Sequence, residues 1–357
     1  MKQFKLNYIL CALALTALLS SCRKDNDNTT EDQDITASRK GIFILSEGLW
    51  GFNNSSLTYY DYAAKTTIAD QFFTANDRGL GDTGNDVQVY GSKMYIVVNV
   101  SNTVEVVDAK TAKSVKKIEF KNGEVGRQPR YVVFDKNKAY VSTFDGNVAV
   151  VDTASLTVDK YIKVGSSPEK MAIANGKLYV ANSGGLDYPD YANTVSVIDI
   201  ATGTETKKIT VGLNPGNVFA DKYGDIYVLS NGDYGATLPS MSIISSATDL
   251  VTKTFDNFSA SGVSISADFA YMLNYDGTVR IFNLSSETIV QANFITDGTV
   301  ITSPYGINVD TVTGEVFITD AKDYTSNGEV FCFDSFGRKK YSLTTGINPN
   351  TVVFINN

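Results

Sequence analysis

The chain reads as an all-β protein, a seven-bladed β-propeller with four-stranded antiparallel blades, and three observations carry that reading. First, an apolar segment centred on an aromatic recurs at Phe43, Tyr95, Tyr140, Tyr179, Tyr227, Tyr271 and Phe317. These seven copies lie about 46 residues apart, the length of one four-stranded blade. Second, the next apolar segment of each copy ends on a turn former: Asp61, Asp108, Asp152, Asp199, Asn283 and Asp334, with Ser245 or Ser246 in the fifth copy. A carboxylate there caps the amides of the following turn. Third, the runs are short, rich in Val, Ile, Tyr and Thr and separated by Gly, Asn and Asp, and none sustains a helical period.

In chain order the first element is a leader. Lys2 and Lys5 precede an apolar run from Leu6 to Leu19 that is too short to span a bilayer, so residues 1–21 read as a signal peptide. The sequence Leu19-Ser20-Ser21-Cys22 resembles the lipobox of bacterial lipoproteins, which implies acylation of Cys22 and anchoring by more than one chain. Residues 22–40 are polar and acidic, with Asp25, Asp27, Glu31, Asp32 and Asp34, and read as a flexible tether. A charged stretch directly after such a cysteine is similar to the surface-export signal of Bacteroidetes lipoproteins, which implies an outer-membrane protein facing the cell exterior.

Residues 41–357 hold the propeller. The segment from Gly41 to Phe73 supplies three strands but no inner one. Inner strands are expected at Asp86 to Tyr90, Arg130 to Phe134, Glu169 to Ile173, Asn217 to Ala220, Val263 to Ile265, Tyr305 to Val309 and Thr351 to Ile355. The last has no partner after it, so it is expected to close the first blade and remove both free edges. Pro129, Pro168, Pro215, Pro304 and Pro349 stand just before inner strands, where proline forbids helix.

Composition excludes several functions. The 357 residues carry 31 Lys+Arg against 39 Asp+Glu, a net charge of −8. Loss of Lys2 and Lys5 with the leader leaves 29 basic residues against the same 39 acidic ones, a charge of −10. Nucleic-acid binding, which needs a concentrated positive field, is disfavoured. Cys11 leaves with the leader and Cys22 takes lipid, so Cys332 has no disulfide partner and reads as a buried structural thiol. No histidine is present, which removes the usual general base near neutral pH, the serine–histidine triad and most zinc sites. The chain therefore reads as a binder and not an enzyme, with a metal-dependent hydrolase of the lactonase type as the remaining catalytic alternative. Gly79 to Gly84 match a dinucleotide fingerprint but precede a strand, not a helix, and read as a flexible interblade loop.

The repeat, clearest in Leu178-Tyr179-Val180-Ala181-Asn182 and Thr194-Val195-Ser196-Val197-Ile198-Asp199, resembles the YncE-like propellers over nearly everything from Gly41 onward. The segments Gly41 to Gly48 and Asn53 to Asp61 are similar to the BtuG-type surface lipoproteins of Bacteroidetes. That resemblance implies capture of a corrinoid such as cobalamin (vitamin B12) and its transfer to a BtuB-like TonB-dependent outer-membrane transporter. Glycan capture and scaffolding of a transporter complex are the alternatives.

Loops between the second and third strands of each blade share one rim with the loops between blades. Six of the seven former loops carry an aromatic: Trp50 and Phe52, Phe144, Tyr188 and Tyr191, Tyr234, Tyr275, and Tyr324. With Asn53, Asn85, Arg130, Asp187 and Tyr305 they form the candidate binding residues, suited to a large, partly planar, polar ligand. Asp187 and Asp190 are weak candidates for a Ca²⁺ site, without the regular spacing of a dedicated calcium loop. No covalently bound cofactor is expected.

Overall fold

The computed structural model describes residues 39–357, so the leader, Cys11, the lipidation residue Cys22 and the tether up to residue 38 lie outside the described residues. Seven four-stranded antiparallel sheets form the blades. The inner strands are Gly84–Tyr90, Pro129–Asp135, Pro168–Ala174, Pro215–Ala220, Gly262–Ser266, Pro304–Val309 and Pro349–Asn356. The last pairs with the N-terminal strand, Arg39–Ser46, in blade 1, with Phe43 opposite Val353 and Ile44 opposite Val352. The described part of the first strand begins at Arg39, two residues before Gly41, and the Arg39 guanidinium is buried against Asp310 of blade 7.

Alternation along the strands explains the continuous apolar runs. Successive side chains point to opposite faces, and both faces of a blade are covered by its neighbours. Phe43 and Leu45 thus pack toward blade 2 with Val87 and Ile96, whereas Ile42 and Ile44 pack toward blade 7 with Phe317 and Cys332. Seven apolar clusters result, one in each interblade space. Cys332 is a buried thiol, pushed up in pKa chiefly by that burial. The turn formers act as expected: Asp152 accepts from the amides of Ala154 and Ser155, and Asp199 from that of Thr202.

Three local features depart from the sequence expectation. A six-residue helix, Gln71–Asn76, follows the outer strand of blade 1, N-capped by Asp70 and anchored by buried Phe72. A small hairpin joins Lys121–Asn122 to Val125–Gly126. The connector at Gly79 to Gly84 is packed rather than loose. Leu80 and Asp82 are buried, and a Cβ at Gly81 (φ +135°) would stand 2.6 Å from Ser101 Oγ.

The inner strands also carry a shared irregularity. Pro129 pairs with Thr143, yet the next partners are Val132 and Val141, so Arg130 and Tyr131 together face the single residue Ser142, a bulge of one extra residue. Corresponding bulges fall at Glu169–Lys170, Gly216, Tyr305, Asn350 and Asn85. A bulge re-aims side chains out of the ladder. Five of these six bulges thereby deliver a side chain to the axial channel: Asn85, Tyr131, Lys170, Tyr305 and Asn350.

Candidate functional site

Most of the highly exposed aromatic surface lies on the rim opposite the tight turns. Trp50, Phe52, Tyr188, Tyr234 and Tyr275 each expose 60–79% of their surface, and Tyr324 is half exposed. None of these rings is buried beneath its own loop. The loop of Trp50 is nevertheless held in place. Leu49 N donates to Asn54 Oδ1 at 2.8 Å, Gly51 N to Asp82 Oδ2 at 2.9 Å and Phe52 N to Leu49 O at 3.1 Å. Gly48 (φ +78°) makes the entry possible, since a Cβ there would meet Asn54 Oδ1 at 2.4 Å.

Blades 4 to 6 gather the tyrosines into a crescent. Tyr188 and Tyr191 meet edge to face at 5.8 Å, and Tyr191 meets Tyr234 in the same way at 6.2 Å. Between blades 5 and 6 lies a groove of about 320 Å³, lined by Tyr234, Leu238, Pro239 and Tyr275 with Asn231 among its polar edges. Asn53, Tyr234 and Tyr324 sit in the left-handed region at φ 54°, 60° and 63°. For a bulky side chain that conformation is costly, so two tyrosines are held where Gly or Asn sits more easily.

Other expected site residues lie deeper. Asn85, Arg130 and Tyr305 belong to the channel mouth, not to the crest of the rim. Phe144 is half-buried beneath the Arg130 guanidinium, 4.5 Å from ring centre to Cζ. Asp187 accepts from Ser166 Oγ. Among the described residues no three His, Cys, Asp or Glu side chains converge as a metal site would need, so Asp187 and Asp190 find no third ligand of that kind.

The channel is polar and charged. A cavity of about 370 Å³ runs between the inner strands, with Glu47, Asp86, Lys170, Asn217 and Asn350 on its walls. Tyr305 OH donates to Glu47 Oε2 at 2.7 Å and Asn350 Nδ2 donates to Glu47 Oε1 at 3.1 Å. Burial pushes the Glu47 carboxyl above its ordinary 4.5, against the opposing pull of Tyr305, Asn350 and Arg130. Arg130 Nε donates to Glu169 Oε2 at 3.0 Å. Asp86, pushed up by burial, accepts from Val132 N of the next blade at 3.0 Å. The Lys170 ammonium is pulled down by desolvation, with Asp86 and Glu169 opposing.

Glu47, Asp86 and Tyr131 were not anticipated as site residues. Asp86 and Tyr131 share one sequence signal, since they lie two residues after Gly84 and Pro129 at the start of an inner strand. Glu47 has no such mark, because only the closing of blade 7 on blade 1 brings Tyr305 to it.

A family profile described as domain of unknown function DUF5074 matches residues 40–354. A search of curated proteins returned no match. Among solved structures, a quinonprotein alcohol dehydrogenase-like protein from Bacteroides thetaiotaomicron is similar at 18% identity and TM-score 0.67, covering 88% of this chain and 78% of that one. The hydrazine synthase of Kuenenia stuttgartiensis is similar at 17% identity and TM-score 0.61, covering 75% and 93%. The computationally designed protein Ika8 is similar at 13% identity and TM-score 0.57, covering 87% and 90%. Likeness at these identities carries the fold alone.

Proposed function

We propose that this chain, which belongs to the DUF5074 family of unknown function, is a lipid-anchored surface propeller that captures a large polar ligand on its aromatic rim. One observation carries the reading: five aromatic side chains expose 60% or more of their surface on a single face. Left in water, such a patch is a cost that a ligand relieves. The strained φ of Tyr234 and Tyr324 at the same rim supports it.

Arg39 starts its strand on the turn face, beside Asp310 and Asn356, whereas Trp50 and Tyr188 stand on the opposite rim. Lipidation at Cys22 and display on the outer membrane are part of the proposal.

The ligand we assign is a corrinoid such as cobalamin, passed on to a TonB-dependent transporter, with binding and not turnover as the activity. The resemblance over Gly41 to Asp61 supports this choice of ligand. Without histidine, contacts to cobalt through imidazole are unavailable. Recognition falls to ring faces and amide edges, which suit tyrosine and asparagine. Calorimetric titration of the purified domain with cyanocobalamin tests it. Saturable heat at micromolar ligand supports the assignment, and no heat overturns it.

A further inference from the structure

We propose that the rim of blades 4 to 6 holds a subsite for an organic cation, seated in the groove between Tyr234 and Tyr275. The inference builds on the rim as the binding face but does not depend on the ligand being a corrinoid.

Shape is the first ground. The groove of about 320 Å³ is walled mainly by apolar surface from Tyr234, Leu238, Pro239 and Tyr275. Among the described residues Tyr191 is the one ring that packs against Tyr234, none packs against Tyr275, and the two do not stack across the groove. An aromatic face left free carries a negative quadrupole that attracts a cation.

Charge is the second ground, and it excludes the other occupants. The rim loops at residues 183–193, 231–239 and 274–278 contain Asp187, Asp190, Asp233 and Asp276 and not one Lys or Arg. Asp233 Oδ1 accepts from Gly235 N at 2.8 Å and Thr237 N at 2.9 Å, and both donors belong to residues that line the groove. Its carboxylate is thus fixed on the loop that forms one wall of the groove. Asp276 stands next to Tyr275 and accepts from Thr278 N at 3.0 Å. One cation, Arg280, stands half-buried at the Ser259 edge of the groove, its guanidinium engaged 4.4 Å over Phe258 and donating to Ser259 O. An anion at the groove therefore meets loops with four Asp and no Lys or Arg, against a single guanidinium already engaged by a ring and a carbonyl. A neutral hydrophobe gains nothing from them, whereas an ammonium group gains from the rings and the carboxylates together.

Choline and its uncharged isostere 3,3-dimethylbutan-1-ol serve as probes, followed by saturation-transfer NMR on the lipid-free domain. Choline is expected to bind about tenfold or more tightly than the alcohol, and to weaken as NaCl rises, while the alcohol does not. Tyr234→Ala with Tyr275→Ala is expected to lower choline affinity about fivefold or more, and Asp233→Asn to lower it and reduce its salt dependence. Phe336→Ala, on the turn face, serves as the unchanged control, and circular dichroism confirms that each variant folds. Equal affinity for both probes, no choline binding at about 50 mM, or binding indifferent to the double substitution overturns the subsite. Cyanocobalamin titrated into the same protein separates the two readings. Cobalamin heat without choline binding removes only the cation subsite, and choline binding without cobalamin heat removes only the corrinoid.

Discussion

Arg39 and Asp310, 271 residues apart, form a buried two-point ion pair in which Arg39 Nε donates to Asp310 Oδ2 at 2.9 Å and a terminal nitrogen donates to Oδ1. The pair locks the first residue of blade 1 to the turn of blade 7. Asp310→Ala leaves a guanidinium buried without its counter-charge, so a loss of about 3–5 kcal/mol is expected in urea unfolding. Arg39→Ala with Asp310→Ala should recover much of that loss, since the desolvated charge is gone. A single-variant cost under about 1 kcal/mol would show that the pair is solvated.

Closure makes a second expectation. The C-terminal strand is the only inner strand blade 1 has, and Val352, Val353 and Ile355 are buried in two different interblade clusters. Truncation after Ile347 opens the sheet edge of Arg39–Ser46 and strips both clusters. The truncated protein is expected to lose its cooperative thermal transition, and a synthetic peptide of residues 349–357 to restore it in part. An unchanged transition in the truncated chain would refute closure as a source of stability.

The strand plan was legible because it rests on residue type. Seven buried or half-buried aromatics, five prolines and six Asp or Asn turn formers occupy corresponding positions, and each does the same local work in its blade. The channel was harder to read, because a bulge is an insertion in pairing: Gly84 and Pro129 mark where two inner strands begin, not which way the bulged residues point. Arg130 and Glu169 follow prolines in the sequence, but nothing there says that both point inward and meet at 3.0 Å. Nor does it reveal that Phe144, one of eight aromatics on six rim loops, lies beneath Arg130 while Trp50 stands free.

That difference is testable at the rim. Trp50 and Tyr188 expose 79% and 74% of their surface, so truncating them removes little burial. Trp50→Ala combined with Tyr188→Ala is expected to shift Tm by less than about 2 °C while weakening cyanocobalamin binding about tenfold or more. Equal loss of stability and binding would make these rings part of the core.

Tyr234 offers a sharper case, because its φ of 60° separates backbone from side chain. Tyr234→Asn keeps a residue that tolerates the left-handed region and removes the ring. Stability is expected to hold or to rise by up to about 1 kcal/mol, while ligand affinity falls. A loss of more than about 1 kcal/mol would mean that the ring, and not the ligand, repays the strain.

Glu47 sets a pH dependence whose sign follows from burial. Its carboxyl is pushed above 4.5 chiefly by desolvation, with Tyr305, Asn350 and Arg130 pulling the other way. A carboxyl raised on folding contributes stability that is fully present below its unfolded pKa and lost as pH rises through the folded one, at about 1.4 kcal/mol per unit of displacement. Glu47→Gln keeps an acceptor for Tyr305 OH and cannot ionise. The Tm of the variant minus that of the wild type is therefore expected to rise between pH 4 and pH 7, by about 2 °C or more. Asp86 and Glu169 are also raised by burial, but both proteins retain them, so the difference isolates Glu47. A difference that falls with pH would mean that Arg130 and the hydrogen bonds hold the carboxylate ionised more strongly than burial opposes it.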